Sequence, residues 1–586
     1  MGMRVRVSEL IRLLETLVSI PTYTVLGASM GKVAYLSNTE GAMNVWIVDP
    51  KDGSKRRLTQ KPVNGAAPLA PGSRHVVAIR DATKGMEQHE IICADILRGE
   101  ETTPWDISPS RVLSIAFDGR RVAFSRVSGG NIAIGVAELE GEWWTLAETK
   151  RLVFVTDVNE KYVVGYGHLE GDPRTYELFM VNLDTGSFYT YTPKKGSRNK
   201  LPKLNDSTVV FESDFEGENK LYLLNIENQE LKELVFEHDD YKRMNPVEHE
   251  SYGWTPSGDV WVVGKRDGRS QLFINGRSIR TPKGTIHGFP AFINGNIYIA
   301  FSSLSTPPRI IEIDEKRGDR VLVGAELPRE LEGFVRRVEF VKYVSRDNVE
   351  VPMYVVESSR APKPGPGIVY VHGGPWSEVR DAWSVMIASL VAAGYHVLAP
   401  NFRGSTGYGE KYRLLDIGDP GGGDLDDVVN ARKWGIENNV VLEDKIAIMG
   451  YSYGGFMTYL AMGVHPKLWR CGVAGAGVVD WREMYGLSDS AFREFIDILF
   501  DRNRNLWDDR SPIKYVENVE RPICIIHPQN DTRTPLKPVM RYMMKLLEKG
   551  KSFEAHIVPD MGHIIVRIED AVNILLPALL FLAKHM

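Results

Sequence analysis

One serine of the chain stands in a sequence context that favours reactivity. Residues 450–455 read Gly-Tyr-Ser-Tyr-Gly-Gly, so Ser452 is at the centre of a G-x-S-x-G pattern. A short apolar run at residues 445–449 precedes the pattern, and residues 456–462 suit a buried helix. A strand, a sharp turn and a helix form the context in which such a serine projects its hydroxyl as a nucleophile. The alternative is an ordinary glycine-rich turn after a strand, and partner residues elsewhere must decide between the two.

A nucleophilic serine needs a base that takes its proton. Five histidines follow Ser452 along the chain: His465, His527, His556, His563 and His585. Only His563 lies in a loop that follows a predicted strand, residues 553–558. Two of the others fall inside predicted strands, one at the end of a helix and one at the end of the sequence. We therefore predict His563 as the base.

The base in turn needs an acid that orients it. Asp531 follows the apolar strand at residues 522–526, so we expect it in a loop at the carboxyl end of that strand, beside the serine. Asp560 competes for this role, and the alternative for Asp531 is a solvated aspartate in a turn. Its position before the histidine strand favours Asp531 and gives the chain order serine, acid, histidine, which is that of α/β hydrolases.

Two backbone N–H groups are candidates for stabilising the negative oxygen that forms when a serine attacks a carbonyl. One belongs to Tyr453, the residue after the nucleophile. The other belongs to the turn His372-Gly373-Gly374-Pro375, which follows the predicted strand at residues 367–371. Glycines in this turn let the backbone approach the reacting oxygen. The alternative is an ordinary turn.

The part of the chain that carries these residues alternates between strands and helices from about residue 330 onward. Apolar runs typical of buried parallel strands occur at residues 367–371, 395–399, 445–449 and 522–526. Helical stretches such as residues 424–438 and 538–547 lie between them. This alternation predicts a doubly wound α/β domain with a mostly parallel sheet.

Residues 24–330 have a different texture, with short β-rich runs separated by Gly, Asp and Asn. We count seven copies of one repeat, which begin at Lys32, His75, Arg121, Tyr162, Thr208, Val260 and Ile297. Successive starts are roughly 37 to 52 residues apart, which is the length of a four-stranded propeller blade. We predict a seven-bladed β-propeller; a pair of β-sandwiches is the alternative, but it does not explain the period. Before the repeats, residues 8–20 read as one amphipathic helix that must dock elsewhere.

The composition excludes several classes of protein. A chain of 586 residues is expected to form two or more domains, and its net charge of -5 gives no electrostatic case for binding nucleic acid. Its three cysteines are far apart and suggest neither a disulfide framework nor a zinc site, which fits a reducing cytoplasm. We find no signal peptide and no apolar run long enough to span a membrane. We expect a cytoplasmic protein that needs no metal and no cofactor.

Four motifs together resemble those of the prolyl oligopeptidase family of serine peptidases. They are Gly450 to Gly455, His372 to Pro375, Asn401 to Gly409 (Asn-Phe-Arg-Gly-Ser-Thr-Gly-Tyr-Gly), and Asn530 to Arg533 (Asn-Asp-Thr-Arg). Within the family the chain looks most like the acylaminoacyl peptidases. The resemblance implies a helix at residues 1–23 that packs on the catalytic domain, a seven-bladed propeller at residues 24–330 and an α/β hydrolase at residues 331–586. It implies Ser452, Asp531 and His563 as the catalytic triad.

The resemblance also implies roles in substrate binding. Arg533 would bind a substrate carbonyl near the scissile bond, although from the residues alone it could equally be a surface arginine. Where prolyl oligopeptidases have a tyrosine that assists the oxyanion, this chain has His372, so the N–H of Gly374 is the better candidate for the second donor. Four residues could form an apolar wall for the residue before the scissile bond, or could simply belong to the core: Val478, Trp481, Phe492 and Phe495.

These expectations describe a serine peptidase that removes N-acylated amino acids from short peptides, with a propeller that restricts substrate size. A broader oligopeptidase or a carboxylesterase with the same triad is the alternative, and a propeller scaffold with an inactive hydrolase is the alternative outside catalysis. We expect a homo-oligomer, a dimer or larger, with no nucleic-acid or membrane partner.

Overall fold

Within residues 7–324 and 326–586, which a computed structural model describes, a β-rich N-terminal part is followed by an α/β C-terminal part. The first described element is helix α1 (Val7–Val18), whose leucines occur every three or four residues and are buried. This is the amphipathic helix that the sequence predicts. Its buried stripe packs against two helices of the C-terminal part, Val385–Ala392 and Ile568–His585.

The N-terminal part consists of short antiparallel strands that follow one another in groups of four. Strands β1 to β12 are Tyr23–Ser29, Lys32–Ser37, Asn44–Val48, Lys55–Arg57, Gly65–Ala66, His75–Asp81, His89–Asp95, Glu101–Thr102, Val112–Phe117, Arg121–Ser128, Asn131–Glu138 and Trp143–Thr149. Strands β13 to β20 are Val153–Val158, Tyr162–Gly167, Glu177–Asn182, Phe188–Tyr191, Asn199–Asn205, Thr208–Ser213, Lys220–Asn225 and Leu231–Glu233. After the short helix α2 (Asp240–Met244), strands β21 to β28 are Glu248–Trp254, Val260–Arg266, Arg269–Ile274, Arg277–Ser278, Thr285–Ile293, Asn296–Ser303, Thr306–Ile313 and Arg320–Gly324.

These strands form a β-propeller. Among the described residues, β5–β8, β9–β12, β13–β16, β17–β20 and β21–β24 are five separate four-stranded sheets, and β25–β28 and β1–β4 form one eight-stranded sheet. The halves of the eight-stranded sheet meet through a parallel pair between Val25 of β1 and Gly288 of β25, so the first and last groups are neighbours. Each predicted repeat begins on the second strand of a group: β2, β6, β10, β14, β18, β22 and β26.

Burial within the sheets follows from their face-to-face stacking. In the second strand β18, Val209, Val210 and Phe211 are fully buried, because neighbouring sheets cover both faces. In the outer strand β16, Phe188 and Tyr189 are exposed. The repeat in the sequence therefore records the continuous apolar runs on the inner strands.

The C-terminal part has the α/β-hydrolase fold, built on one eight-stranded sheet of order β29-β30-β32-β31-β33-β34-β35-β36. These strands are Val335–Val344, Glu350–Ser358, Gly365–Val371, His396–Pro400, Val441–Tyr451, Gly472–Gly475, Ile523–Pro528 and Phe553–Val558, numbered along the chain. Strands β31 to β36 are parallel, whereas β29 and β30 pair antiparallel at one edge. The four strands predicted from apolar runs are β31, β32, β33 and β35; the two antiparallel strands and the four-residue β34 were not predicted.

Helices cover both faces of this sheet, with a separate apolar core on each face. They are α3 (Val385–Ala392), α4 (Glu410–Arg413), α5 (Gly423–Glu437), α6 (Tyr453–Val464), α7 (Trp481–Leu487), α8 (Ser490–Leu499), α9 (Leu536–Glu548) and α10 (Ile568–His585). Short 3-10 helices occur at Arg329–Leu331, Arg346–Asn348, Leu414–Asp416, Arg504–Leu506 and Pro512–Asn518. The two predicted helical stretches coincide with α5 and α9.

The domain limits predicted at residues 23 and 330 stay predictions, and residues 1–6 of the first predicted segment lie outside the described residues. The last propeller strand ends at Gly324 and the first strand of the hydrolase sheet begins at Val335. In the described ranges, no helix has both the length and the apolarity needed to cross a membrane.

Candidate active site

The G-x-S-x-G motif forms the sharp turn that the sequence predicts between strand β33 and helix α6. Ser452 has φ 59° and ψ -119°, a strained conformation for a residue with a side chain. The turn is possible because glycines surround it: a Cβ on Gly454 would overlap the backbone oxygen of Val371, and one on Gly450 would overlap Gly454. The strain and the close packing together hold the serine at the carboxyl end of the central strand.

The structure brings the three predicted polar residues together. The Oγ of Ser452 lies 2.9 Å from Nε2 of His563, and Nδ1 of His563 lies 2.7 Å from Oδ2 of Asp531. His563 and Asp531 are 6% and 5% exposed, so water competes little for these hydrogen bonds. An imidazole in this position can accept the serine proton through Nε2 while the carboxylate fixes its tautomer through Nδ1.

Asp531 is held as a carboxylate by several donors. Its Oδ1 accepts from the N–H groups of Arg533 and Thr534 at 2.9 and 2.8 Å, and its Oδ2 accepts from the Thr534 hydroxyl at 2.8 Å. Burial alone would raise the pKa of Asp531, but the adjacent His563 and the backbone donors outweigh it and lower that pKa. A carboxylate that stays ionised can stabilise the imidazolium that forms on His563.

The competing residues are elsewhere. His527 is buried in β35 and its Nε2 lies 2.7 Å from the backbone oxygen of Thr534. His556 lies in β36, the outermost strand of the sheet on that side. Asp560 forms an exposed ion pair with Lys84 of the propeller at 2.7 Å. Within the described part of the chain, His563 is the only histidine that is hydrogen-bonded to Ser452.

Both predicted oxyanion donors border the same space as Ser452. The N–H of Tyr453 is the first of helix α6 and so has no partner within the helix. Among the residues that the structure describes, neither this N–H nor that of Gly374 has an acceptor within hydrogen-bond distance. The side chain of His372 points away, with Nε2 2.9 Å from the Oγ of Ser405, and burial lowers its pKa to about 4. The backbone groups, rather than the His372 ring, are therefore available to a substrate oxygen.

A cavity of about 350 Å³ lies over Ser452 and His563, between the two domains. The four residues of the predicted apolar wall all line it: Val478, Trp481, Phe492 and Phe495. The opposite wall comes from the propeller and was not predicted: Val112, Leu113, Leu152 and Phe154. The predicted wall residues also pack against the hydrolase core. Their role towards a substrate stays a prediction.

Arg533 lines the cavity but is bound to a propeller residue that sequence reasoning missed. Its Nη2 lies 2.6 Å from Oε1 of Glu87, and its Nε lies 2.9 Å from Oε2 of the same carboxylate. Arg111, also from the propeller, forms a second ion pair with Glu87 and reaches Asp489 at 2.7 Å. Burial would raise the pKa of Glu87, but the two guanidinium groups lower it to about 2. Glu87 is thus a fixed anion between two cations at the edge of the cavity.

The propeller also contacts the loops that carry His563 and Asp531. A Cβ on Gly562 would overlap the backbone of Gly85, so the two segments pass each other backbone to backbone one residue before His563. The side-chain amide of Asn530 donates to the backbone oxygen of Lys84 at 2.7 Å. The loop at residues 84–87 therefore touches the segments on either side of the imidazole.

Models of known protein families match both parts of the chain. Residues 382–586 match the model of the prolyl oligopeptidase family, and residues 34–311 match that of the acylamino-acid-releasing enzyme-like N-terminal domain. An uncharacterized peptidase of Bacillus subtilis, YuxL, is 29% identical over 54% of this chain and 50% of its own length. The acylamino-acid-releasing enzyme of Rattus norvegicus is 30% identical over 38% of this chain and 31% of its own. The chain thus spans half or less of the length of these relatives.

The fold has close counterparts among solved structures. A puromycin-hydrolysing peptidase of Mycobacterium tuberculosis superposes with a TM-score of 0.81, and the match covers 98% of this chain and 96% of that one. At 15% identity this likeness concerns the fold alone. The two family matches identify residues 382–586 as a prolyl oligopeptidase family domain and residues 34–311 as an N-terminal domain of the acylamino-acid-releasing enzyme-like type.

Proposed function

We propose that the chain is a serine peptidase that removes N-acylated amino acids from short peptides through an acyl-enzyme on Ser452. The observation that carries the proposal is the hydrogen-bonded series from Ser452 through His563 to Asp531, open to an apolar cavity. The same three residue types in this arrangement cleave amides and esters on several unrelated folds.

Each step follows from a contact in the site. The Oγ of Ser452 attacks the substrate carbonyl while Nε2 of His563 takes its proton, and the C–N bond breaks as His563 returns that proton to the leaving amine. The N–H groups of Tyr453 and Gly374 stabilise the oxyanion. Water, deprotonated by His563, then attacks the acyl-enzyme and releases Ser452. Asp531 keeps the imidazole in the required tautomer throughout.

The charges in the cavity support a blocked amino terminus. A free α-ammonium group would need a carboxylate partner. Among the described residues that line the cavity, Glu87 is the only acidic one. Glu87 is already paired with Arg111 and Arg533. An acylated amine carries no charge and needs no such partner. The apolar wall of Trp481, Phe492 and their neighbours suits a bulky apolar residue next to the scissile bond.

Restriction to short peptides depends on the propeller being closed over the site. We infer seven blades, with the eight-stranded sheet acting as two, because its halves share a parallel pair at Val25 and Gly288 while each half is antiparallel within itself. A ring closed in this way leaves the cavity reachable only by narrow routes. Long or folded chains would then be excluded.

The substrate proposal is tested by comparing para-nitroanilides of one apolar amino acid with and without an N-acetyl group. We expect a higher kcat/KM for the acetylated compound, and a preference for the free amine would contradict the proposal. Substituting Ser452→Ala should lower kcat by about a million-fold, and Asp531→Asn should lower it by about ten thousand-fold. Normal turnover by either variant would refute the catalytic assignment.

A carboxylesterase with the same residues is the second candidate, since the chemistry of ester and amide cleavage is shared. A nitrophenyl ester of the same N-acetyl amino acid separates the two. Turnover of the ester with no measurable turnover of the anilide would favour the esterase. A folded protein with neither activity would favour a scaffold role instead.

A further inference from the structure

Tyr453, whose N–H is a proposed oxyanion donor, is hydrogen-bonded through its hydroxyl to a buried carboxyl group. Its hydroxyl donates to Oδ2 of Asp424 at 2.6 Å, and both side chains are almost fully buried. Asp424 lies in the first turn of α5 and also accepts from the N–H groups of Gly421 and Leu425. The ring of Tyr453 therefore has a fixed end, and with it the first turn of α6.

The segment of the second donor has an equivalent anchor. Trp376, two residues after Gly374, donates its indole N–H to Oδ1 of Asp416 at 3.2 Å. Asp416 is fully buried, and a Cβ on Gly404 would overlap its carboxyl group, so the acid is wedged against the loop at residues 401–409. Its Oδ2 has no partner among the described residues. Burying a carboxyl group with a single side-chain hydrogen bond lowers the stability of the fold, so such a group calls for a functional explanation.

The two anchored segments are also linked to each other. The ring of His372, which begins the Gly374 turn, stacks on Phe402 at 4.3 Å between centroids. Phe402 in turn stacks on the ring of Tyr453 at 6.0 Å. The rings of His372, Phe402 and Tyr453 thus connect the two segments that carry the donors. Asp424 is bonded to the Tyr453 end of this stack, and Asp416 is bonded to Trp376 of the other segment.

The charges of Asp416 and Asp424 suit a site that must stabilise a negative oxygen. Burial raises the pKa of Asp416 to about 8 and that of Asp424 to about 6, and each group responds to acids nearby. At pH 7 the pair therefore carries fewer than two negative charges. Two full charges behind the donors would repel the oxyanion, and a partly neutral pair can hold the rings without that penalty.

We propose that Asp416 and Asp424 are positioning residues for oxyanion stabilisation, each holding one of the two segments that supply a backbone donor. The inference rests on the proposed function. It assigns a role to two acids that make no contact with the cavity and would otherwise be costly core residues. Because they act on donors that bind the tetrahedral oxygen more tightly than the carbonyl, their loss should lower kcat and leave KM little changed.

The test removes one hydrogen bond at a time and measures kcat, KM and the inhibition constant of a peptide boronic acid, which forms a tetrahedral adduct with the serine. Tyr453→Phe deletes the hydroxyl but keeps the backbone N–H. We expect kcat and boronate affinity to fall by about tenfold each, less than the hundredfold or more for losing a donor outright, with KM within about twofold. Trp376→Phe, which deletes the indole N–H, should behave in the same way.

Tyr459→Phe is the matched control, because Tyr459 lies on the same helix and its buried hydroxyl has no partner among the described residues. Asp424→Asn keeps an oxygen acceptor for Tyr453 and should recover most of the activity that Asp424→Leu loses. If Asp424→Leu does not fold, Tyr453→Phe still decides the matter. A Tyr453→Phe variant with a lowered melting temperature but wild-type kcat and boronate affinity would show a structural role only and overturn the inference.

Failure of the proposed function has a different signature. A fluorophosphonate that forms no adduct on Ser452 of the wild-type protein, together with no amide turnover, would overturn the function and this inference with it. An active, labelled wild type whose Tyr453→Phe and Trp376→Phe variants match Tyr459→Phe would overturn this inference alone.

Discussion

The Oγ of Ser452 and Nε2 of His563 lie 2.9 Å apart, yet the segments that hold the two residues have different neighbours. The serine turn is packed inside the hydrolase: Gly454 abuts Val371, and helix α6 behind it is buried along nearly its whole length. The histidine loop has the propeller on one side, where Gly562 meets Gly85. The nucleophile is therefore positioned by one domain, and the base by both.

This difference has a physical consequence for how the site can fail. A change around Ser452 disturbs the core of the hydrolase, so folding and activity should be lost together. A change where the propeller meets the His563 loop can displace the imidazole by a fraction of an ångström while each domain keeps its own core. Activity should then fall without a matching loss of stability.

The largest effect is expected for Gly454→Ala. The added Cβ would overlap the backbone oxygen of Val371, which lies in a central strand and cannot move aside. We expect the protein to lose about 3 kcal/mol of stability, at the upper end for overpacking, along with its activity. Denaturant unfolding and anilide hydrolysis measure both. Gly486→Ala is the control, because Gly486 lies in helix α7 with open space around it; equal losses in the two variants would contradict the account.

The contrasting change is Gly562→Ala. Its Cβ would overlap the backbone of Gly85 in the other domain, so the His563 loop and the propeller must separate. A misplacement of this size is expected to lower kcat by about a hundredfold. The hydrolase core is untouched, so the melting temperature should change little. Gly130→Ala, at an open propeller turn, controls for the substitution itself, and a Gly562→Ala enzyme with normal kcat would show that the base does not depend on the propeller.

The Glu87 ion pairs join the two domains beside the base, and their contribution should depend on pH. The folded-state pKa of Glu87 is lowered to about 2 from an ordinary value of 4.5, so its contribution to stability is present above pH 4.5 and is lost as the pH falls towards 2. The advantage of wild type over Glu87→Gln should shrink by about 2 kcal/mol between pH 5 and pH 3. Urea midpoints of both proteins at each pH measure it. An advantage that is independent of pH would contradict the assignment of charge to Glu87.

The same contrast explains what could be predicted from the sequence. The turn at Ser452 could be predicted because strand, turn and helix are consecutive in the chain. The proximity of His563 and Asp531 to it could be predicted because each follows a strand in a fixed order. Glu87 and Arg111 lie more than 370 residues from their hydrolase partners and have no local pattern, so pairing across the domains was invisible. Asp416 and Asp424 look like loop and helix-start acids in the sequence, and only their burial in the structure gives them a role.

The smallest effect is expected for Lys84→Ala, although Lys84 adjoins the Gly85 contact. Its side chain pairs with Asp560 at 2.7 Å, but the two side chains are 71% and 60% exposed, and such pairs contribute less than about 1 kcal/mol. The backbone oxygen that accepts from Asn530 remains in the variant. We therefore expect kcat within about twofold of wild type, in the same anilide assay, and stability changed by less than about 1 kcal/mol. A tenfold loss of kcat would mean that the propeller holds the histidine loop through surface charge rather than through backbone contact.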